Sequence, residues 1–61
     1  MSPQERDAAL ARVREIAGQL RDLEGRAAEV SSPEIAMSLF ERAAELADEA
    51  ARLLEEAGRE P

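Results

Sequence analysis

Sixty-one residues bound the chain to one small domain, near the size at which a single core stops sufficing. With no Cys and no His, disulfides, thiolate chemistry, zinc fingers and imidazole catalysis are excluded. A net charge of −6 argues against nucleic acid and anionic membrane as partners.

Ala (13), Glu (11), Arg (8) and Leu (7) fill most of the chain, an alphabet that at helical periodicity reads as long helix or coiled coil. Ser2-Pro3-Gln4-Glu5 supplies an N-cap, a proline at the first helical position and an acid placed to complete a capping box. The first helix, expected over 3–30, carries a seam of Ala9, Val13, Ile16, Leu20, Leu23, Ala27 and Val30, with Leu10 and Ala17 beside it. Its alternating steps of four and three are the heptad pattern of a packed stripe. Ser32-Pro33-Glu34 repeats the starting signal, and Pro33 disfavours helical geometry at Ser32. A tight turn is therefore expected at 31–32, a second helix over 33–57, and a tail over 58–61 with Gly58 as the C-terminal cap.

The second helix is apolar over a wider arc. One heptad seam, Ala36, Phe40, Ala43, Ala47, Ala50, Leu54 and Ala57, is flanked by Ile35, Leu39, Leu46 and Leu53 on one side and by Met37, Ala44 and Ala51 on the other. These positions sweep about 200° of the circumference, whereas one packed face needs somewhat more than 100°. A single neighbour cannot cover that arc. The expected fold is all-α, an antiparallel two-helix hairpin, with two copies closing into a four-helix bundle or a larger one. Val13, Ile16, Leu20, Leu23, Phe40 and Leu54 are assigned to the seam within the hairpin. Ile35, Leu39, Leu46 and Leu53 are assigned to the contact between hairpins.

Catalytic and ligand-binding constellations are not in evidence. Glu34, Glu41, Glu45 and Asp48 share the polar side of the second helix, but carboxylate metal sites in bundles add Glu-x-x-His pairs, and this chain has no His. Asp22/Arg26, Arg42/Glu45 and Asp48/Arg52 have the spacing of ordinary surface ion pairs. Ser38 lacks a neighbouring base to activate it, and a mid-helix Ser bonds back to a carbonyl or faces solvent. Gln19, beside the seam, is suited to a hydrogen bond across an interface. Arg14 and Arg21 form a short basic stripe that Asp22, Glu24 and Glu29 offset. No catalytic residue, cofactor or metal is expected.

Ala11, Gly18 and Gly25 recur every seven residues away from the main seam. A glycine inside a helix costs about 1 kcal/mol against Ala, which close approach of another backbone would justify. The other reading is that Gly25 loosens or ends the first helix.

Two resemblances follow from these residues. The duplicated Ser-Pro starts and the ending Ala50-Ala51-Arg52-Leu53-Leu54-Glu55-Glu56-Ala57-Gly58 resemble computationally designed helical proteins, which implies an assembly, scaffold or binding role. Leu39-Phe40-Glu41-Arg42-Ala43-Ala44-Glu45-Leu46-Ala47, followed by Leu54-Glu55-Glu56-Ala57, is similar to the second helix of the bacterial exonuclease VII small subunit, and Ala8-Ala9-Leu10 through Leu20 to its first. That resemblance implies an accessory subunit docking on a large catalytic chain.

The expected function is a non-catalytic structural protein that self-associates, with a dimer favoured. The alternatives are the accessory subunit or a monomeric module that binds another protein. No apolar run reaches the roughly 18–20 residues of a membrane span and no secretory signal is recognisable. A cytoplasmic or recombinant setting is the corresponding expectation.

Overall fold

Two serine–proline starts set the architecture, seen in a computed structural model that describes residues 2–59. At the first start, the Glu5 amide donates to the Ser2 hydroxyl at 3.2 Å and the Ser2 amide donates to Glu5 Oε1 at 3.3 Å. This completes a capping box and satisfies two donors that a helix start leaves open. The bond from the Ser2 backbone, then that from its side chain, holds the Glu5 carboxyl below its ordinary value.

Helix α1 runs Pro3–Glu29. Val30 then leaves in extended geometry, its amide donating to the Arg26 carbonyl at 3.1 Å. Ser31 and an extended Ser32 complete the connection. The Ser32 hydroxyl accepts from the Ile35 amide at 3.4 Å, and Pro33 opens helix α2, Pro33–Gly58. Among the described residues there is no strand.

Both helix ends differ by one residue from the sequence expectation. Helix α1 stops at Glu29 because Val30, two residues before the Ser32-Pro33 break, has already turned extended. Gly58 is the last helical residue of α2 rather than a left-handed cap. The Arg59 amide closes that final turn on the Glu56 carbonyl at 3.3 Å, one residue tighter than an α-helical bond. Gly25 neither ends nor loosens α1, which continues through it as helix. Glu60 and Pro61 lie outside the described residues.

The short connection folds α2 back antiparallel to α1, and among the described residues these two helices are the only elements, in a body of 47 × 14 × 10 Å. The Cα radius of gyration is 14.2 Å, against about 10.5 Å for a compact chain of this length. The hairpin is a single layer of two rods.

Its core is the stripe between them. On α1, Ala9 and Ile16 are buried and Val13, Leu20, Leu23 and Ala27 half-buried, as is Val30 just beyond its end. On α2 the inward positions are Ala36, Leu39, Ala43, Leu46, Ala50, Leu53 and Ala57, again in steps of three and four. Leu46 is 2 % exposed and Ile16 1 %.

This corrects the assignment of the second helix. Leu46 is sealed inside the hairpin and is not free to form the contact between copies, while Leu39 and Leu53 are half-buried and turn mainly inward. Phe40 and Leu54, assigned to the seam, are 60 % and 50 % exposed. Neighbouring residues on a helix differ by about 100° of rotation, so presenting the Leu39–Leu46–Leu53 row to α1 turns the Phe40–Ala47–Leu54 row out.

Candidate functional site: an uncovered apolar face

The hairpin has two long sides of opposite character. On one, Arg12 Nε donates to Glu49 Oε2 at 2.7 Å and Nη2 to Glu49 Oε1 at 3.1 Å, while Nη1 donates to Glu15 at 3.2 Å. This fork joins α1 to α2. Hydrogen bonding to Glu49, and less to Glu15, raises the Arg12 guanidinium above its ordinary value. The same bond lowers the Glu49 carboxyl. Farther toward the turn, Gln19, Asp22, Arg26 and Arg42 line a polar groove over Leu23 and Leu46. Ile35, 53 % exposed, lies on this side, one and two heptads before Arg42 and Glu49.

The fork also fixes the register of the two rods. Four residues beyond Arg12 on α1 is Ile16, and three residues before Glu49 on α2 is Leu46. These, the two best-buried large side chains, therefore stand within one residue (about 1.5 Å) of the same level.

The opposite side is apolar. Leu20, Leu23, Ala27 and Ala28 of α1 and Leu39, Phe40 and Ala43 of α2 line an open groove of about 380 Å³, with Glu24 its sole carboxylate. From there the face continues along α2 as Met37, Phe40, Ala44, Ala47, Ala51 and Leu54, every one exposed. Met37 is 59 % exposed. Ala44, Ala47 and Ala51 form a shallow trough edged by Glu45 and Asp48. A heptad stripe that stays exposed for five turns of helix is the mark of an interaction surface rather than of scattered surface apolars.

Chemistry-bearing side chains gather nowhere on this face. Among the described residues no three carboxylates come together as a cation site. Ser38 donates its hydroxyl to the Glu34 carbonyl at 3.3 Å, the back-bonding of a mid-helix serine. Arg42–Glu45 at 3.4 Å and Arg52–Asp48 at 2.9 Å are exposed pairs along α2, of a kind that contributes about 0–1 kcal/mol each. A methyl group added at Gly18 or Gly25 would meet nothing within 4 Å. Gly18 and Gly25 thus meet no other part of the hairpin, and Ala11, the third member of the stripe, is exposed.

The surplus of apolar surface was legible in the sequence, but not which row would carry it. A signal was present. Glu34, Glu41, Asp48 and Glu55 recur every seven residues immediately outside the Met37–Leu54 stripe, as the acidic border of an apolar face.

The chain matches no protein-family model, no curated protein and no solved structure. Among the described residues no helix is long and apolar enough to cross a membrane.

Proposed function

We propose that this chain is a non-catalytic structural protein that works by self-association, two hairpins pairing their apolar faces into a four-helix bundle. The observation that carries this reading is the continuous exposed stripe from Met37 through Phe40 to Leu54. Surface area supports it. The hairpin exposes 4709 Å², whereas a folded monomer of 6.7 kDa exposes about 3900 Å². The surplus of about 800 Å² equals what one partner contributes to an ordinary stable interface. The strict heptad spacing of the apolar rows and their acidic border also suits an assembly scaffold of the designed type that the Ser-Pro starts resemble.

Small-angle X-ray scattering on the full chain tests the reading. A bundle of two hairpins side by side gives a forward-scattering mass of twice 6.7 kDa and a longest dimension still near 47 Å, with a thicker cross-section. Scattering from single hairpins at micromolar concentration overturns it and transfers the apolar face to a different protein partner.

A further inference from the structure

The apolar face has unlike borders, and these specify how a second copy sits. Along α1 the face is edged by Arg14 and Arg21, both exposed. Along α2 it is edged by the acidic row Glu34, Glu41, Asp48 and Glu55. The helices differ as wholes in the same sense: α1 carries five arginines against six carboxylates, α2 two against seven.

We propose that the bundle's two-fold axis runs parallel to the helices, so that α1 of each copy lies along α2 of the other and Arg14 and Arg21 reach Asp48 and Glu41 of the partner subunit. This rests on the self-association proposed above and adds its geometry.

Two ways of pairing the faces compete. An axis perpendicular to the helices stacks like on like, α1 on α1 and α2 on α2. It sets one acidic row against another and Arg14 near Arg21, which is repulsive at both seams. An axis parallel to the helices sets the basic border of each copy against the acidic border of the other. Rotation about that axis moves nothing along the rods, so the levels found within one hairpin hold between copies. Arg12 is level with Glu49 by its direct bond. Two residues farther along α1 brings Arg14 level with the partner's Ala47, one residue (about 1.5 Å) from the partner's Asp48, and nine brings Arg21 level with the partner's Phe40, one residue from the partner's Glu41; an arginine side chain spans that offset.

Side-chain size fits as well. Ala44, Ala47 and Ala51 are the trough over which these arginines would pass. Small residues there leave room for the long arginine stems to lie on apolar surface while the guanidinium groups reach the acidic border. Asp48 already accepts from Arg52 at 2.9 Å, so the pairing of Arg21 with the partner's Glu41 is the cleaner one to probe. At the open end Asp7 comes within one residue of the level of the partner's Glu55, a like-charge contact beside Arg59, which stands 3.9 Å from Glu55.

Charge exchange tests the arrangement, with association followed by sedimentation velocity on the full-length chain. Arg21→Glu alone should weaken self-association tenfold or more, as should Glu41→Arg alone. The double variant R21E/E41R should recover the wild-type constant, and an equimolar mixture of the two single variants should form a heterodimer. If the wild type associates but Arg21→Glu tightens it or leaves it unchanged, the parallel axis is wrong and self-association stands. A wild type that stays single at every concentration overturns both. Circular dichroism of each variant must show wild-type helicity; if a single variant unfolds, the mixture supplies the decision, since only complementary pairing restores a folded heterodimer.

Discussion

Phe40→Ser separates the two kinds of apolar residue in this protein. The ring is 60 % exposed in the hairpin, and a phenylalanine presents about 200 Å², which leaves about 120 Å² in water. Covering that area contributes about 3 kcal/mol at about 25 cal/mol per Å². Both copies lose it in a symmetric dimer, so dissociation should become easier by about 4–6 kcal/mol, a rise in Kd of about 10³–10⁴. Sedimentation velocity over a concentration series from nanomolar to 100 μM reads this directly, and far-UV circular dichroism confirms that the helices persist. A Kd within threefold of wild type would refute the reasoning, because it would mean that the ring stays wet in the assembly or that no assembly uses this face.

Changes elsewhere should behave differently. Ile16→Ala opens a cavity at the best-buried large side chain and should cost about 2–5 kcal/mol of stability, measured by urea denaturation at fixed protein concentration; a cost below 1 kcal/mol would contradict the burial of Ile16 between the two helices. Gly18→Ala should stabilise the protein by about 1 kcal/mol, because the added methyl meets nothing in the hairpin. A lowered melting temperature for that variant would show a second chain packed on the Ala11–Gly18–Gly25 stripe.

Acid should loosen the hairpin through Glu49. Its carboxyl lies lower in the folded chain than in the unfolded one, chiefly because it accepts the Arg12 fork. The stabilisation is therefore present above the unfolded value of about 4.3 and is lost as pH falls through the lowered folded value. Denaturant midpoints from pH 7 down to pH 2 should show the decline, and Glu49→Gln should flatten it. An equal decline in that variant would locate the pH dependence elsewhere. Glu5 in its capping box contributes in the same direction.

The sequence was most legible where it offered one choice. In α1 a single row of large apolar residues, Val13, Ile16, Leu20 and Leu23, stands out against charged neighbours, and those residues lie against α2. Both helix starts were equally plain, because Ser followed by Pro leaves the backbone little alternative. In α2 two apolar rows lie one residue apart, Leu39–Leu46–Leu53 and Phe40–Ala47–Leu54, and each forms a heptad seam with the same alanines at 36, 43, 50 and 57. Periodicity alone cannot choose between them.

The choice depends on what α1 presents. Turning the leucine row inward keeps Glu49 beside Arg12 on the polar side and sets Leu46 within one residue of the level of Ile16. Rotating α2 to bury Phe40 would carry Glu49 away from that arginine and bring Glu41 and Asp48 toward the core. The C-terminal bounds of both helices shift by one residue, since the last turn depends on cap geometry that residue types describe only loosely.

Whether a second copy covers the Met37–Leu54 face is decided by sedimentation equilibrium of the unaltered chain, followed through serial dilution. A mass of twice 6.7 kDa is expected at micromolar concentration, falling toward one chain only on dilution. A single-chain mass throughout the series, with the helices intact, would contradict the pairing of hairpins.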